Sequence, residues 1–310
     1  MSIAVEDPGF RGRVSALAAA FVHAIMGLFN TPMSLVQRRF GIGGMGAVFL
    51  APNMLIFTVF VLVPVAINVA YSFTGGTAIF FEGRHPVGFD QYRTLFAAAG
   101  IARYLLNSAL VAAAVVSLNV ATAALVGYAL GRRRVPGERW WTLGIVASLM
   151  LPKQVLMIPL YLVLARMRLL DTYAALVLPF AVDAFSIFLV RQFVVALPLE
   201  LEEAARVDGA SDWQVFRRVV LPLLKPVLAV VAIQSFLTNW NSFLFPLIFV
   251  DSDRLRTLPV GLALISQQTE HSVDWGFLMA GSTVASLPVL AVFLAFQRQI
   301  LSGLLAGAEK

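Results

Sequence analysis

Six apolar runs, each of at least twenty residues, constrain this chain more than any single motif does. They are Gly46–Phe73, Leu105–Leu130, Trp141–Ala165, Tyr173–Leu197, Leu223–Val250 and Phe277–Phe296. A helix rises about 1.5 Å per residue, so each run can cross roughly 30 Å of hydrocarbon. Only 13% of the 310 residues are charged and 59% are hydrophobic, with a mean hydropathy of +0.84. Soluble domains carry about 25% charge. The expected fold class is therefore an all-α membrane protein, a six-helix transmembrane bundle. Pro64, Pro152, Pro159, Pro179, Pro246 and Pro288 lie inside the runs. Each should kink or break its helix where neighbours or a cavity satisfy the freed backbone.

The stretch before the first run reads differently. Ser15–Phe29 is apolar but short, contains His23 and closes with Asn30-Thr31-Pro32. It is expected to lie in the membrane interface within an N-terminal arm of residues 1–45, ahead of one membrane domain spanning 46–310. A seventh span, which would force the N-terminus outside, is one rival; a signal peptide is the other, but basic Arg38-Arg39 follows the run rather than a small-residue cleavage site. With the N-terminus in the cytoplasm, six spans put 15 of the 23 Lys and Arg residues inside and 8 outside. That bias sets the expected orientation, with both termini cytoplasmic. The net charge of +6 is accounted for by this sidedness, without a nucleic-acid partner.

Several chemistries are excluded or disfavoured. Cysteine is absent, which removes disulfides, thiolate metal sites and cysteine nucleophiles. The three lysines (Lys153, Lys225, Lys310) do not follow glycine, so a phosphate-binding loop of the GxxxxGK[ST] type is missing. His23, His85 and His271 are scattered without ligand spacing, and no serine sits in a GxSxG context. No metal site, catalytic residue or cofactor bound by this chain is expected. Any ATP, with its Mg, must be bound by another chain.

Between the fourth and fifth runs lies a charged loop, residues 198–222, PLELEEAARVDGASDWQVFRRVVLP. Glu200 to Asp208 reads as a short helix with acids in the first turn, where the helix dipole favours them. Leu201, Ala204, Ala205 and Asp208 fall at helical spacing. Gly209 can take the left-handed conformation that ends a helix. Ser211 or Asp212 can cap a second helix through Trp213, Phe216 and Val220, which Pro222 is expected to stop. From pattern alone, an ordinary surface loop and a partner-binding knob are equally good readings.

Glu203-Ala204-Ala205, then Gly209, Val219 and Leu221-Pro222, resembles the EAA loop of ABC-importer permeases, with Val219 where that family has isoleucine. Further segments resemble the carbohydrate-uptake permeases, in particular the MalG-like and UgpE-like half of the heterodimer. They are Leu151-Pro152 with Ile158-Pro159-Leu160-Tyr161, Leu169-Leu170-Asp171-Thr172-Tyr173, Arg191-Gln192-Phe193, Trp240-Asn241 with Pro246-Leu247, and Gln297-Arg298 with Gly303-Leu304. The resemblance runs from about Leu105 to the C-terminus and leaves residues 1 to about 40 unmatched.

The resemblance implies a type I ABC-importer permease fold in a bacterial inner membrane. The loop would be its cytoplasmic coupling element, seated in a groove of an ATPase subunit. Glu203, Ala204, Ala205, Asp208, Gly209, Ala210, Leu221 and Pro222 are the implied coupling residues. Glu203 would make a charged contact, and the tail Gly303–Lys310 would also touch the ATPases. The implied partners are a second, MalF-like or UgpA-like permease, two ATPase subunits, an extracytoplasmic solute-binding protein and membrane lipid. The implied cargo is a sugar or related polyol, with glycerol-phosphate compounds as the alternative. An ion-coupled secondary transporter is the rival of a different class, and it should show inverted repeats or paired broken helices, which are not seen here. An intramembrane enzyme lacks any convergent catalytic group.

Polar residues at membrane depth mark a candidate substrate path. Lys153, beside Pro152 and Gln154, either lines that path or pairs structurally with Asp183 in the fourth run. Gln234, Asn239, Trp240 and Asn241 in the fifth run suit sugar hydroxyls, and interhelical hydrogen bonding explains the amides equally well. Asn107, Ser117 and Asn119 read as helix–helix contacts.

Overall fold

The computed structural model describes residues 46–74, 87–98, 100–132, 135–267 and 274–308, with side chains described to residue 297. The expected arm and interfacial helix of residues 1–45, the three histidines and the side chains of the tail Gly303–Lys310 lie outside the described residues. The chain divides into two compact units, Met1–Ile67 and Asn68–Lys310.

The described part of the first unit is helical. It belongs to α1 (Gly46–Ser72), whose last residues fall in the second unit. A π turn at Thr58–Leu62 interrupts α1 just before Pro64. Proline lacks an N–H, and its ring meets the carbonyl four residues back. A wider turn immediately upstream moves that carbonyl off the ring.

The second unit contains α2 (Asp90–Ala98), α3 (Ile101–Arg132), α4 (Glu138–Leu149), α5 (Met157–Arg166), α6 (Tyr173–Val177) and α7 (Ala184–Ala196). Then follow α8 (Glu200–Val207), α9 (Asp212–Leu223), α10 (Lys225–Trp240), α11 (Leu244–Phe249), α12 (Leu258–Gln267) and α13 (Trp275–Ala308). Among the described residues there is no strand, only an isolated antiparallel bridge between Thr74 and Val87. Four helices among the described residues are long and apolar enough to cross a membrane, or up to six if each of two bent pairs is one span. The protein is thus an all-α membrane protein.

Pro152 and Pro179 interrupt their runs as expected, whereas Pro288 lies inside α13 without breaking it. The third run bends by 98° between α4 and the segment from Lys153, at Met150-Leu151-Pro152. The fourth run is interrupted by a 3-10 turn, Leu178–Phe180, around Pro179. Pro222, however, does not stop the second loop helix. A π turn at Phe216–Val220 precedes it, and α9 continues to Leu223 before a 72° bend into α10. Pro64 and Pro222 share this device.

Lipid tails are as apolar as leucine, so helices associate in a bilayer through close packing rather than hydrophobic exclusion. Gly127 and Gly131 supply it between α3 and α7. A Cβ at Gly127 would lie 2.8 Å from Val190 Cγ1, and one at Gly131 would lie 2.8 Å from Val194 Cγ1. The four-residue spacing puts both glycines on one face of α3. Around this seam Ala123, Ala124, Ile187, Val190 and Val194 are buried with Val215, Phe216, Val220, Val227 and Val231. Two further buried clusters lie elsewhere along α3. One joins Val111 and Val115 to Leu176, Phe245 and Phe249, and the other joins Tyr104 and Ala112 to Trp240, Leu258 and Ala280.

Polar contacts fasten the same helix. Asn107 Nδ2 donates to the carbonyls of Arg254 and Arg256 at 3.0 and 2.9 Å, and Tyr173 Oη donates to Asn107 Oδ1 at 2.7 Å. Asn119 Nδ2 donates to Ser235 Oγ at 3.4 Å. Asn107 and Asn119 are helix–helix contacts, as expected. Ser117 is not: it is exposed and its hydroxyl donates to Ala113 O of its own helix.

Candidate functional sites: a charge-balanced cavity and a clamped loop

The bend of the third run and the 3-10 interruption of the fourth frame the first site. Pro152 breaks the helix, and the backbone resumes as a 3-10 turn that starts at Lys153. Asp183 is the N-cap of α7: one carboxylate oxygen accepts from Ser186 N and Ser186 Oγ, both at 3.0 Å. Its other oxygen accepts from Lys153 Nζ at 2.8 Å. The structural pairing is therefore real. The paired residues also line a cavity of about 390 Å³, and the lysine side chain stays 59% exposed. The pair contributes no net charge to the cavity.

Amides and hydroxyls complete the wall. Gln234 and Asn239 of α10 line the cavity, as do Asn119 of α3 and Ser235 and Thr238 of α10. Phe180 and Phe245 provide apolar surface and pack edge-on, with ring centroids 5.1 Å apart. Asn119 Oδ1 is buried and has no hydrogen-bond partner within the protein.

Three path candidates lie elsewhere. Trp240 is buried, donates its indole N–H to Ala285 O at 3.0 Å and stacks on Phe236. Asn241 is exposed and donates to Leu237 O of its own helix at 2.9 Å. Gln154 is exposed and does not line the cavity. Asn119, Ser235 and Thr238 were not read as path residues. Their signal was helical spacing: Gln234 and Thr238, like Ser235 and Asn239, are four residues apart on one face of α10.

The loop 198–222 forms the second site. Its first helix, α8, ends in two backbone bonds, Gly209 N to Arg206 O and Ala210 N to Ala205 O, both 3.0 Å. This is the Schellman arrangement, and it requires the left-handed backbone seen at Gly209, φ +83°. A capping box then starts α9. Gln214 N donates to Ser211 Oγ, and Ser211 N donates to Gln214 Oε1 at 2.7 Å. Each satisfies a backbone donor that a helix start would otherwise leave open. The two helices and their glycine corner thus fold as read.

The orientation of α8 differs from its apolar spacing. Leu201 is exposed, and Glu202 is the buried residue at 2%. Glu202 accepts from Tyr128 Oη at 2.9 Å and from Arg132 Nε at 2.8 Å, both on α3, and from Arg206 at 3.4 Å. These three donors make burial of the carboxylate tolerable and turn Leu201 outward. Of the expected coupling residues, Glu203, Ala204, Asp208, Gly209 and Pro222 are exposed, while Ala205, Ala210 and Leu221 pack inward against the α3–α7 core. The exposed face also shows Leu199, Val207 and Trp213. Tyr128 and Arg132 were missed because their roles depend on a partner 70 or more residues away.

Comparison with known proteins matches residues 123–304 to the binding-protein-dependent transport system inner membrane component family. The chain is similar to the arabinooligosaccharides transport system permease protein AraQ of Halalkalibacterium halodurans, 35% identical over 222 residues, covering 71% of this chain and 79% of that protein. It is 34% identical over 240 residues to the lactose transport system permease protein LacG of Rhizobium radiobacter, covering 76% and 87%. The sn-glycerol-3-phosphate transport system permease protein UgpE of Salmonella choleraesuis is 36% identical over 200 residues, covering 64% and 71%. Among solved structures, a bacterial ABC transporter involved in the import of the acidic polysaccharide alginate superposes with TM-score 0.73. That match is 25% identical and covers 84% of this chain and 96% of that one.

Proposed function

From the premise that this chain belongs to the binding-protein-dependent transport system inner membrane component family, we propose that it moves a neutral sugar or related polyol by alternating access, driven by ATP hydrolysed on separate subunits. The chain is a multi-pass membrane protein and a permease subunit of a sugar ABC importer. Its partners would be a second permease, two ATPase subunits and a solute-binding protein at the outer face. The loop 198–222 would face the cytoplasm and enter a groove on an ATPase subunit, with Glu203 making a charged contact and Gly209 setting the angle between the helices.

The observation that carries this reading is the folded loop itself. Both helices are capped from within, and one face anchors to α3 while the other leaves Glu203, Asp208, Val207 and Trp213 exposed. Coupling needs an element with different interactions in two states, and a rigid knob with an unused face meets that need. The cavity supports the choice of cargo. A neutralised Lys153–Asp183 pair with amides, hydroxyls and aromatic surface suits polyhydroxyl compounds, and offers less to glycerol phosphate than an unpaired lysine would.

The test is affinity purification of the tagged chain from native membranes, followed by reconstitution and an uptake panel of neutral and phosphorylated compounds. An ATPase subunit should co-purify, and uptake of a neutral sugar should require ATP. Purification without an ATPase, or uptake driven by an ion gradient alone, would refute the proposal.

A further inference from the structure

We propose that Glu202, outside the recognised motif, is the positioning residue that locks the loop 198–222 to α3, so that loop, α3 and α7 move as one body. The proposal rests on the coupling role just given to the loop. Its observation is the junction at the end of α3. Tyr128 is held from both halves of the knob: its hydroxyl donates to Glu202 of α8, and its ring packs on Phe216 of α9 with centroids 5.2 Å apart. Arg132, one helical turn on, donates through Nε to Glu202 and through its terminal nitrogen to the carbonyl of Leu197, where α7 ends.

Stability alone is a poor explanation for such a carboxylate. Well-packed apolar residues often replace a buried ion pair at no loss, whereas a buried charge with three aimed donors gives direction. Here the directed contacts join α8 to α3 and α3 to the end of α7. The glycine seam at Gly127 and Gly131 then holds α3 against α7 with no room for a methyl group. Asn119 lies nine residues before Tyr128 on α3, about 14 Å along the axis, and Asp183 caps the far end of α7. Both line the cavity. A displacement of the loop therefore reaches two cavity walls through two rigid helices. Glu203, the motif's own acid, is exposed and faces outward, so the adjacent acids divide the work: one toward a partner and one toward the chain.

The absence of cysteine permits a direct test. Spin labels are placed at Ser117→Cys on α3 and Val207→Cys on α8, both exposed, in the complete reconstituted importer. Their distance is then measured without nucleotide and with ATP trapped by vanadate. With Glu202 intact, the distance should be the same in both states and narrowly distributed. In Glu202→Ala the distribution should at least double in width or shift with nucleotide, and ATP consumed per solute imported should rise at least threefold. Tyr128→Phe removes a single hydroxyl and should show a smaller change in the same direction, which keeps the test open if Glu202→Ala fails to assemble.

A nucleotide-dependent distance in the unmodified background would overturn the proposal. So would a distribution in both variants as narrow as the parent's. Cross-linking of Val207→Cys to an ATPase subunit separates the two ideas. With the cross-link present and the loop mobile, only the role of Glu202 falls; with no cross-link, the docking reading falls and takes this inference with it.

Discussion

Lys153 Nζ and Asp183 Oδ1 lie 2.8 Å apart across the broken third and fourth runs, joining two candidate path residues into a pair without net charge. An ammonium group carries three N–H donors, and the carboxylate engages one of them. The pair therefore acts as a hydrogen-bonding wall more than as a fixed positive charge.

Asp183→Asn should change selectivity more than stability. It leaves Lys153 charged and unpaired in the cavity, so uptake of the neutral sugar should fall roughly tenfold, corresponding to about 1.4 kcal/mol. An anionic analogue should compete better than before. Because Lys153 is more than half exposed, the loss of thermal stability should stay within about 1 kcal/mol. Competition uptake with neutral and anionic sugars reads the ratio; an unchanged ratio would remove the pair from the substrate path.

Gly209→Asp should uncouple transport without unfolding the membrane domain. A Cβ at this position meets nothing within 4 Å, so the obstacle is the left-handed backbone and the altered outer surface. The conformational cost is about 1 kcal/mol, confined to the corner between α8 and α9. Measured in reconstituted complexes, ATPase activity should lose its response to solute-loaded binding protein. Retained stimulation would show that the corner is not a coupling element.

Two glycines should respond in opposite senses to alanine. Gly127→Ala drives a methyl group to within 2.8 Å of Val190 and should cost about 1–3 kcal/mol. Gly144→Ala, in the middle of α4 with nothing within 4 Å, should gain about 0.5–1 kcal/mol from the lost flexibility of the unfolded chain. Thermal unfolding in detergent distinguishes them, and equal midpoints would mean that the α3–α7 seam is looser than its geometry.

Asp171 links the turn before α6 to the segment after α11, and this link should be sensitive to acid. Hydrogen bonds from Ser252 N and Ser252 Oγ, with a further one from Asp251 N, hold its carboxyl below the usual range. A lowered folded value means that the link contributes fully above the unfolded value of about 3.9 and is lost as pH falls through the folded one. Hydrogen exchange at residues 251–252 should accelerate as pH is lowered below about 4 after correction for intrinsic rates. Asp171→Asn should abolish that dependence; a dependence that persists would assign it to another group.

The helical class and the two-helix loop were legible because they depend on local information. Apolar length specifies spans, and Gly209, Ser211 and Gln214 carry their capping chemistry within four residues. The site residues were legible only in part. Lys153, Asp183, Gln234 and Asn239 stand out as polar groups in apolar runs, and the cavity gathers all four. Trp240 and Asn241 stand out equally and lie elsewhere, because polarity in a span does not say which way a helix is turned. Gly127 and Gly131 carried an unused signal, the four-residue spacing of small residues at a helix seam.

Sequence by itself determined the membrane class, the interruptions at Pro152 and Pro179, the corner at Gly209 and the absence of a phosphate loop, since each depends on residue type or short spacing. Tertiary structure alone decided which of two adjacent acids turned inward. Glu202 and Glu203 are indistinguishable as letters in a helix, and only the donors of Tyr128 and Arg132, brought across from α3, make burial of one of them tolerable. The same holds at the cavity, where Lys153 and Asp183 become a neutral pair only after two proline-broken runs fold their ends together.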